Sequence, residues 1–446
     1  MRRRRTRGFR LSGLLVLLCL VVAACSNSTG EESDTNAPPA STPNRGNPGV
    51  STTEIRFSLL ATRSNNPIGT CILDCFNDGV EAYFAFRNSE GGVHGRRLVV
   101  AEQIDDELGR NREGALQIIT GNNTFATFGA AQLPLGWAEL ARAGVPQYVW
   151  AIQPAAMVNQ KSIFGNAAPV CLDCTLRTYP YVAGLANATK IAALGYGVSD
   201  VSKECTSTIT RTIDRYHGDT GQEIVYKNDG LGFGLPNGIG PEVSEMKRVG
   251  TQMIMTCLDL NGMRTLAQEL ERQGMRDVVL YHSNTYDQDF VAAAGDLFEG
   301  DYVGVSFRPF EADPAGTGLA DYFRWMQETG AGITEAAMAG WINADLAYQG
   351  ILAAGPNFTR ASVVEATNRL TDYSADGLIN PIDWSRQHEY PTEEDPTTHG
   401  YKEECQALVQ VKGGKFEVVG GTRAEPFVCW SNENRDWSEP RPTAIT

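Results

Sequence analysis

The sequence predicts an α/β protein built as two Rossmann-like lobes with parallel sheets. Three observations carry that prediction. From residue 54 onward, short β-branched or aliphatic runs alternate with segments whose apolar residues recur at helical spacing. The same alternation restarts near residue 190. About 395 residues lie beyond a polar amino-terminal stretch, too many for one ordinary core and enough for two domains of similar size, and a hydrophobic content of 42% can fill both.

In the first half, residues 55–60, 97–101, 125–129 and 147–151 read as strands. Between them, residues 76–87 place Phe76, Val80, Tyr83 and Phe84 on one helix face, and residues 112–120 do the same with Ala115, Ile118 and Ile119. A βαβαβα order implies a parallel sheet with helices on both sides. In the second half, residues 191–194, 223–226, 252–255, 278–281 and 302–307 read as strands. The clearest helix there is 262–273, with Met263, Leu266 and Leu270 on one side and Gly274 as its stop. Residues 317–370 turn mainly helical, with Leu319, Phe323 and Met326 on one stripe and Trp341, Ala344 and Tyr348 on another. The segment ALVQVKGGKFEVV reads as a hairpin turning at Gly413 and Gly414.

The amino terminus carries an address. Six arginines precede residue 11, an apolar run follows over residues 14–24, and Val22, Ala23 and Ala24 stand before Cys25. The run is shorter than the roughly 20 residues a bilayer span needs. Residues 1–24 therefore read as a signal peptide, with Sec and twin-arginine export both open. The small residues before Cys25 resemble the lipobox of bacterial lipoproteins, which implies cleavage there and lipid attachment at Cys25. Each buried methylene contributes about 0.8 kcal/mol, so two or more acyl chains anchor a domain stably. An ordinary cleaved signal, with Cys25 incidental, is the alternative. Residues 25–52, rich in Ser, Thr, Asn, Gly and Pro, read as a flexible tether. The expected location is extracytoplasmic, lipid-anchored to the bacterial cell membrane.

The formal charge of −15 becomes −21 once the six arginines are set aside, with 32 basic against 53 acidic residues. A nucleic-acid surface is excluded on that balance. Beyond Cys19 and Cys25, eight cysteines remain: Cys71, Cys75, Cys171, Cys174, Cys205, Cys257, Cys405 and Cys429. An even count in an exported chain argues for disulfides, although eight cysteines allow about 105 pairings. Cys405 and Cys429 bracket the hairpin and could meet across its ends. Cys205 and Cys257 sit near the ends of neighbouring βα units. Cys71 and Cys75 lie in the loop after the first strand.

Several stretches carry a family likeness: IRFSLLAT, FGAAQLPLGWAELARAGVPQYVW, GPEVSEMKRVGTQMIMT with LAQELERQGMRDVVLY, and ECQALVQVKGGKFEVV. In this order and spacing, over about residues 54–430, the chain resembles the periplasmic binding proteins that serve branched-chain amino acid ABC importers, leucine-binding-protein-like and of type I. The resemblance implies two lobes joined by a three-crossover hinge that close on a ligand in the cleft. Crossings near residues 168–178, 305–311 and 373–383 are expected. The lobe limits that follow are 53–172 with 309–377 for the amino-terminal lobe, and 173–308 with 378–446 for the carboxy-terminal one. Implied partners are a small-molecule ligand, the permease and ATPase subunits of an importer, and the membrane through the lipid anchor.

Parallel α/β sheets bind ligands beyond the carboxyl ends of their strands, so two facing lobes make a cleft. In the family, a hydroxyl side chain and the amides of a helix start after the third strand hold the ligand's carboxylate, as helix N-termini can. Gln132 stands at that position here. Gln153 falls where a Thr is usual in the next loop, beside Trp150 and Ala151. In the second lobe the family's acidic partner for the ligand's ammonium is missing from Tyr281-His282-Ser283-Asn284. A buried ammonium without a counter-charge is costly, so a free α-amino acid suits this site less well, unless Asp259 supplies the charge. Gln132, Trp150, Ala151, Gln153, Asp259, Tyr281, Ser283 and Asn284 are the expected ligand-binding residues, suited to a small amino-acid-like, amide or carboxylate ligand. Lobe core is the other reading of Trp150 and Tyr281, and Trp137 is expected in the core.

Cys171 and Cys174 have the C-x-x-C spacing of thiol oxidoreductases, but no thioredoxin-like unit surrounds them, so a structural bridge or cross-pairing with Cys71 or Cys75 is expected instead. Gly230, Gly232, Gly234, Gly238 and Gly240 fit no phosphate-binding register and read as a loop. Five scattered histidines give no metal spacing, and His388 and His399 are expected to be solvated. No hydrolase, zincin or P-loop motif occurs. The expectation is a non-enzymatic receptor without cofactor or metal; a ligand sensor of the same fold acting in signalling is the alternative.

Overall fold

The computed structural model describes residues 47–66, 69–150, 157–165, 174–283, 285–389 and 401–446. Two sheets organise them. In the first, β1 (Glu54–Ala61), β2 (Arg97–Asp105), β3 (Ala126–Ala130), β4 (Gln147–Val149) and β5 (Ile163–Gly165) are all parallel, in the order β2-β1-β3-β4-β5. In the second, β6 (Lys190–Tyr196), β7 (Glu223–Leu231), β8 (Met253–Cys257), β9 (Val279–His282) and β10 (Tyr302–Val305) run parallel in the order β7-β6-β8-β9-β10. An antiparallel extension follows: β11 (Glu403–Lys412), with β12 (Lys415–Val419) folded back on it, then β13 (Phe427–Ser431) and β14 (Arg441–Thr443). Both parallel stretches reverse their winding beside their first strand, where the departing loops diverge and open a crevice.

Helices α1 (Leu73–Ser89), α2 (Asn111–Gly121) and α3 (Trp137–Arg142) alternate with strands of the first sheet. Helices α4 (Thr178–Leu185), α5 (Asp200–Thr220), α6 (Gly240–Val249), α7 (Leu260–Arg272) and α8 (Gln288–Ala293) alternate with those of the second. The chain passes between sheets three times: from β5 to α4, from β10 to α9 (Gly318–Thr329), and from α11 (Arg360–Thr367) to β11, with α10 (Glu335–Ala354) between α9 and α11. Helices α9 and α10 pack on α1 beside the first sheet. The predicted two-lobed α/β architecture with three crossovers is therefore present. No helix among the described residues is long and apolar enough to cross a membrane.

The contact between α1 and α10 is set by glycine. A Cβ on Gly79 would lie 1.8 Å from the Ala337 carbonyl oxygen, and one on Gly340 would lie 2.0 Å from that of Phe76. Missing side chains thus let two backbones touch, and the position of α10 follows from them.

Two buried arginines fasten the crossings. Arg177, at the end of the first, donates through Nε to Glu404 Oε2 (3.2 Å) and through Nη1 and Nη2 to the carbonyls of Asn434 and Ser431 (both 2.8 Å). Arg435 Nη1 reaches the same Glu404 oxygen at 3.2 Å, and the Thr178 amide donates to Oε1 at 3.3 Å. Arg308, in the second crossing, gives its backbone N–H to Leu378 O (2.6 Å), its Nε to Gly377 O (3.3 Å) and its Nη2 to Ile445 O (3.0 Å).

Disulfides join Cys71 to Cys75, Cys205 to Cys257 and Cys405 to Cys429, and Cys174 is also disulfide-bonded. Cys171 lies outside the described residues. The Cys405 bridge does not span the ends of the hairpin: Cys429 sits on β13, the strand on the other side of β11, directly opposite Cys405. The Cys205–Cys257 bridge ties α5 to β8 across 52 residues. Replacing both cysteines by alanine is expected to cost about 2–4 kcal/mol, seen as a lower urea midpoint with a steeper slope, since the unlinked denatured chain exposes more surface.

One histidine corrects the sequence reading. His388 is not solvated but buried against Phe164 and Trp384, and burial drives its imidazole pKa down to about 4. One aromatic partner, Trp384, is four residues away, but the other, Phe164, comes from β5, far away in the sequence, so the acidic stretch around His388 gave no sign of its burial. His399 lies outside the described residues.

Candidate functional site

Both sheets present their crevices at the predicted ends, and a polar contact spans each. In the first lobe, the Gln132 amide donates to Thr62 Oγ1 at 3.3 Å, joining the loops after β3 and β1. In the second, the Tyr196 hydroxyl donates to Asp259 Oδ1 at 3.0 Å, joining the ends of β6 and β8. The lobes also touch across the gap. Asn261 of α7 lies against Gly69, two residues before the Cys71–Cys75 disulfide, where an added Cβ would lie 3.0 Å from the Asn261 side-chain nitrogen.

A small pocket remains where the crossings meet the lobes. Trp150 comes from the end of β4, Ser306 and Phe307 from the second crossing, Ile379 from the third, and Glu335, Ala339 and Ile342 from one face of α10. Glu335 opens α10, behind Thr334, whose hydroxyl accepts from the Ala337 amide at 3.1 Å. A carboxylate in a first helical turn is ordinarily favoured by the helix dipole. Here burial dominates and raises its pKa to about 8, with the Asp287 carboxylate adding to the rise. Asp287 caps α8, accepting from the Phe290 amide at 2.8 Å. Beside it, Tyr286 donates to Glu311 Oε2 at 2.5 Å and accepts from the Phe310 amide at 2.7 Å. Burial also pushes the Glu311 carboxyl upward. A column of rings, Tyr286, Phe310 and Tyr322, runs from the second lobe through the crossing to α9.

The predicted residues divide. Trp150 lines the pocket while packing its other side on the core. Gln132 lies beside Thr62 at the first crevice, but α3 begins only at Trp137, and its capping Gly136 amide already donates to Asn111 Oδ1 at 2.9 Å. The helix-start amides expected at Gln132 are therefore five residues away and partly spent. Ser283 directs its hydroxyl to the Thr256 carbonyl at 3.1 Å. Asp259 caps α7 by accepting from the Gly262 amide at 2.6 Å; its Oδ2 is buried without a partner, and burial raises its pKa. Ala151, Gln153 and Asn284 lie outside the described residues.

Tyr281 is a correction. It is 4% exposed, stacked edge-on with Tyr179 in the core of the second lobe. Strand alternation explains this: Leu280 faces one side of the sheet, Tyr281 the other, and neither projects beyond the strand end. Trp137 is buried with Val149 and Ile163, as expected. Sequence reasoning missed Ser306, Phe307, Glu335, Ala339, Ile342 and Ile379. Glu335 carried one legible signal, the Thr-Glu pair before an apolar run, but that pattern reads as a helix start. Among the described residues one group of metal-capable atoms occurs, at Glu403, Cys405 and Cys429, and both of its sulfurs are consumed in a disulfide.

Comparison with known proteins follows the same lines. The periplasmic binding protein family model matches residues 71–415. No curated protein matches the chain. Among solved structures, the branched-chain amino acid binding protein LivJ of Streptococcus pneumoniae, in complex with isoleucine, is similar with 16% identity and a TM-score of 0.63, covering 82% of this chain and 99% of that one. A fatty acid ABC transporter substrate-binding protein from Thermomonospora curvata shares 15% identity with a TM-score of 0.62, over 90% of this chain and 98% of its own. A solute-binding protein from R. palustris, in complex with 4-hydroxybenzoate, shares 18% identity with a TM-score of 0.61, over 82% and 95%. Such likenesses carry the fold, and the family is one of substrate-binding proteins, not enzymes, that work outside the cytoplasm. The chain belongs to the periplasmic binding protein family, in its two-lobed type I form.

Proposed function

We propose that this chain is a lipid-anchored solute receptor, held to the membrane through Cys25, that captures a small amino-acid-like, amide or carboxylate ligand between its lobes. It then presents the closed, loaded form to the permease and ATPase of an ABC importer. The carrying observation is the pocket at the crossings, lined by Trp150 and α10 of the first lobe and by two of the segments that connect the lobes. Only a site built this way changes shape when the lobes rotate, which lets a partner distinguish loaded from empty receptor. The proposed lobes are 53–172 with 309–377, and 173–308 with 378–446. Gln132, Trp150, Ala151, Gln153, Asp259, Ser283 and Asn284 are retained as candidate contacts around the cleft.

Thermal-shift screening of residues 47–446 against amino acids, amides, carboxylates and amines tests the reading. A true ligand raises the melting temperature as it saturates the native state. Trp150→Ala and Gln153→Ala are each expected to weaken that ligand about tenfold, the loss of one large contact or one hydrogen bond to a charged group. A ligand whose affinity both variants leave intact binds elsewhere and removes the cleft from consideration.

A further inference from the structure

We propose that Glu335 is the residue that reads the ligand's charge, and that the preferred ligand is a protonated amine carried on an apolar body. The inference rests on the crossing pocket being the binding site, and it names the class of molecule that site prefers.

The lining decides the chemistry. Phe307, Ile342 and Ile379 offer apolar surface and Trp150 an aromatic face, while Glu335 is the ionisable side chain of the pocket. No lysine or arginine lines it among the described residues. The groups facing Glu335 from neighbouring elements reinforce the sign. Asp287 approaches from the β9–α8 loop, and Tyr286 beside it is bonded to Glu311 of the second crossing; the Arg423 cation acts on Glu311. The Glu335 carboxyl at the pocket thus has the Asp287 carboxylate as its charged neighbour, and a ligand anion entering the pocket would meet repulsion.

A half-buried carboxylate without a cation is costly, and two neutralisers can remove the cost: a proton, or a ligand ammonium. In the empty protein the proton wins at neutral pH, consistent with a pKa near 8. Binding an ammonium displaces that proton into solvent, and the aromatic faces of Trp150 and Phe307 can add cation–π attraction. The counter-charge absent from residues 281–284 would thus come from the opposite lobe, at the first turn of α10.

The test uses 2-phenylethylamine and isoamylamine as probes against their neutral alcohols and matching carboxylates, titrated calorimetrically into wild type and Glu335→Gln. The amines should bind roughly 10–100-fold more tightly than the alcohols, and Glu335→Gln should erase that gap while keeping alcohol affinity. Amine affinity should also rise with pH, by up to about tenfold per unit below pH 8, with proton release that differs between buffers of unequal ionisation enthalpy. Amines that bind Glu335→Gln as well as wild type, or fail to bind at all, overturn the proposal. Preference for carboxylates or amides with affinity falling above pH 8 also overturns it, since a protonated Glu335 would then be acting as a hydrogen-bond donor. That last outcome leaves the cleft receptor standing, whereas failure of every compound class would remove both. Melting of the ligand-free proteins controls for folding. A raised carboxyl pKa makes the folded state lose stability as pH climbs from about 4.5 to about 8, and Glu335→Gln should flatten that decline.

Discussion

Replacing Glu404 by alanine is expected to destabilise the protein by about 3–5 kcal/mol, the cost of stripping the counter-charge from a buried ion pair. Glu404 is 5% exposed and stands between Arg177 and Arg435, one of its oxygens 3.2 Å from each. Removing it leaves two guanidinium groups facing each other with the compensating charge gone. Arg177 retains the Ser431 and Asn434 carbonyls, and Arg435 retains the Asn432 side-chain oxygen and the Thr175 carbonyl, so hydrogen bonding survives while charge balance does not. A urea unfolding curve measures the cost. A double variant, Glu404→Leu with Arg177→Met, should lose less than Glu404→Ala alone. If the double is the worse of the two, uncompensated charge is not the cause.

The second large effect is steric. Gly340→Ala is expected to cost about 2–3 kcal/mol, at the upper end for an overpacked core, because the atom in the way is the Phe76 carbonyl and not a movable side chain. Gly79→Ala should behave alike, meeting Ala337 O from the other helix. The consequence extends to binding. Glu335, Ala339 and Ile342 ride on the same helix, so pushing α10 from α1 shifts three pocket residues together. Both variants should lower the urea midpoint and weaken whichever ligand the cleft accepts. An unchanged midpoint for Gly340→Ala would mean that α10 can slide freely on α1.

Much of the fold was legible because parallel strands and amphipathic helices write their periods directly into the chain. Residues 55–60 became β1 and 262–273 became α7, each within two residues. The failures have physical causes. Strand β5 is three residues long, too short to carry a period, and β14 contains Pro442 and no aliphatic alternation. Strand β10 ends at Val305, not at residue 307, and the two residues released from it, Ser306 and Phe307, line the pocket. Around the site, position along a strand mattered more than residue type. Trp150 stands one residue beyond β4 and reaches the cleft; Tyr281 stands one residue inside the end of β9 and faces the core. Glu335 stayed hidden because its neighbours are far away in sequence, and an acid after a capping threonine looks like ordinary helix punctuation.

Arg308 has a mechanical consequence. Its single guanidinium and backbone amide grip Gly377, Leu378 and Ile445, so two of the three ribbons between the lobes are knotted to each other and to the carboxy-terminal tail. Ribbons fastened in this way cannot twist independently. The lobe closure proposed above would then proceed about one shared axle, with the torsions concentrated on either side of the knot and few alternative trajectories left to it. A fluorescent reporter placed beside Thr446 would sit at that axle, the quietest point of the whole swing.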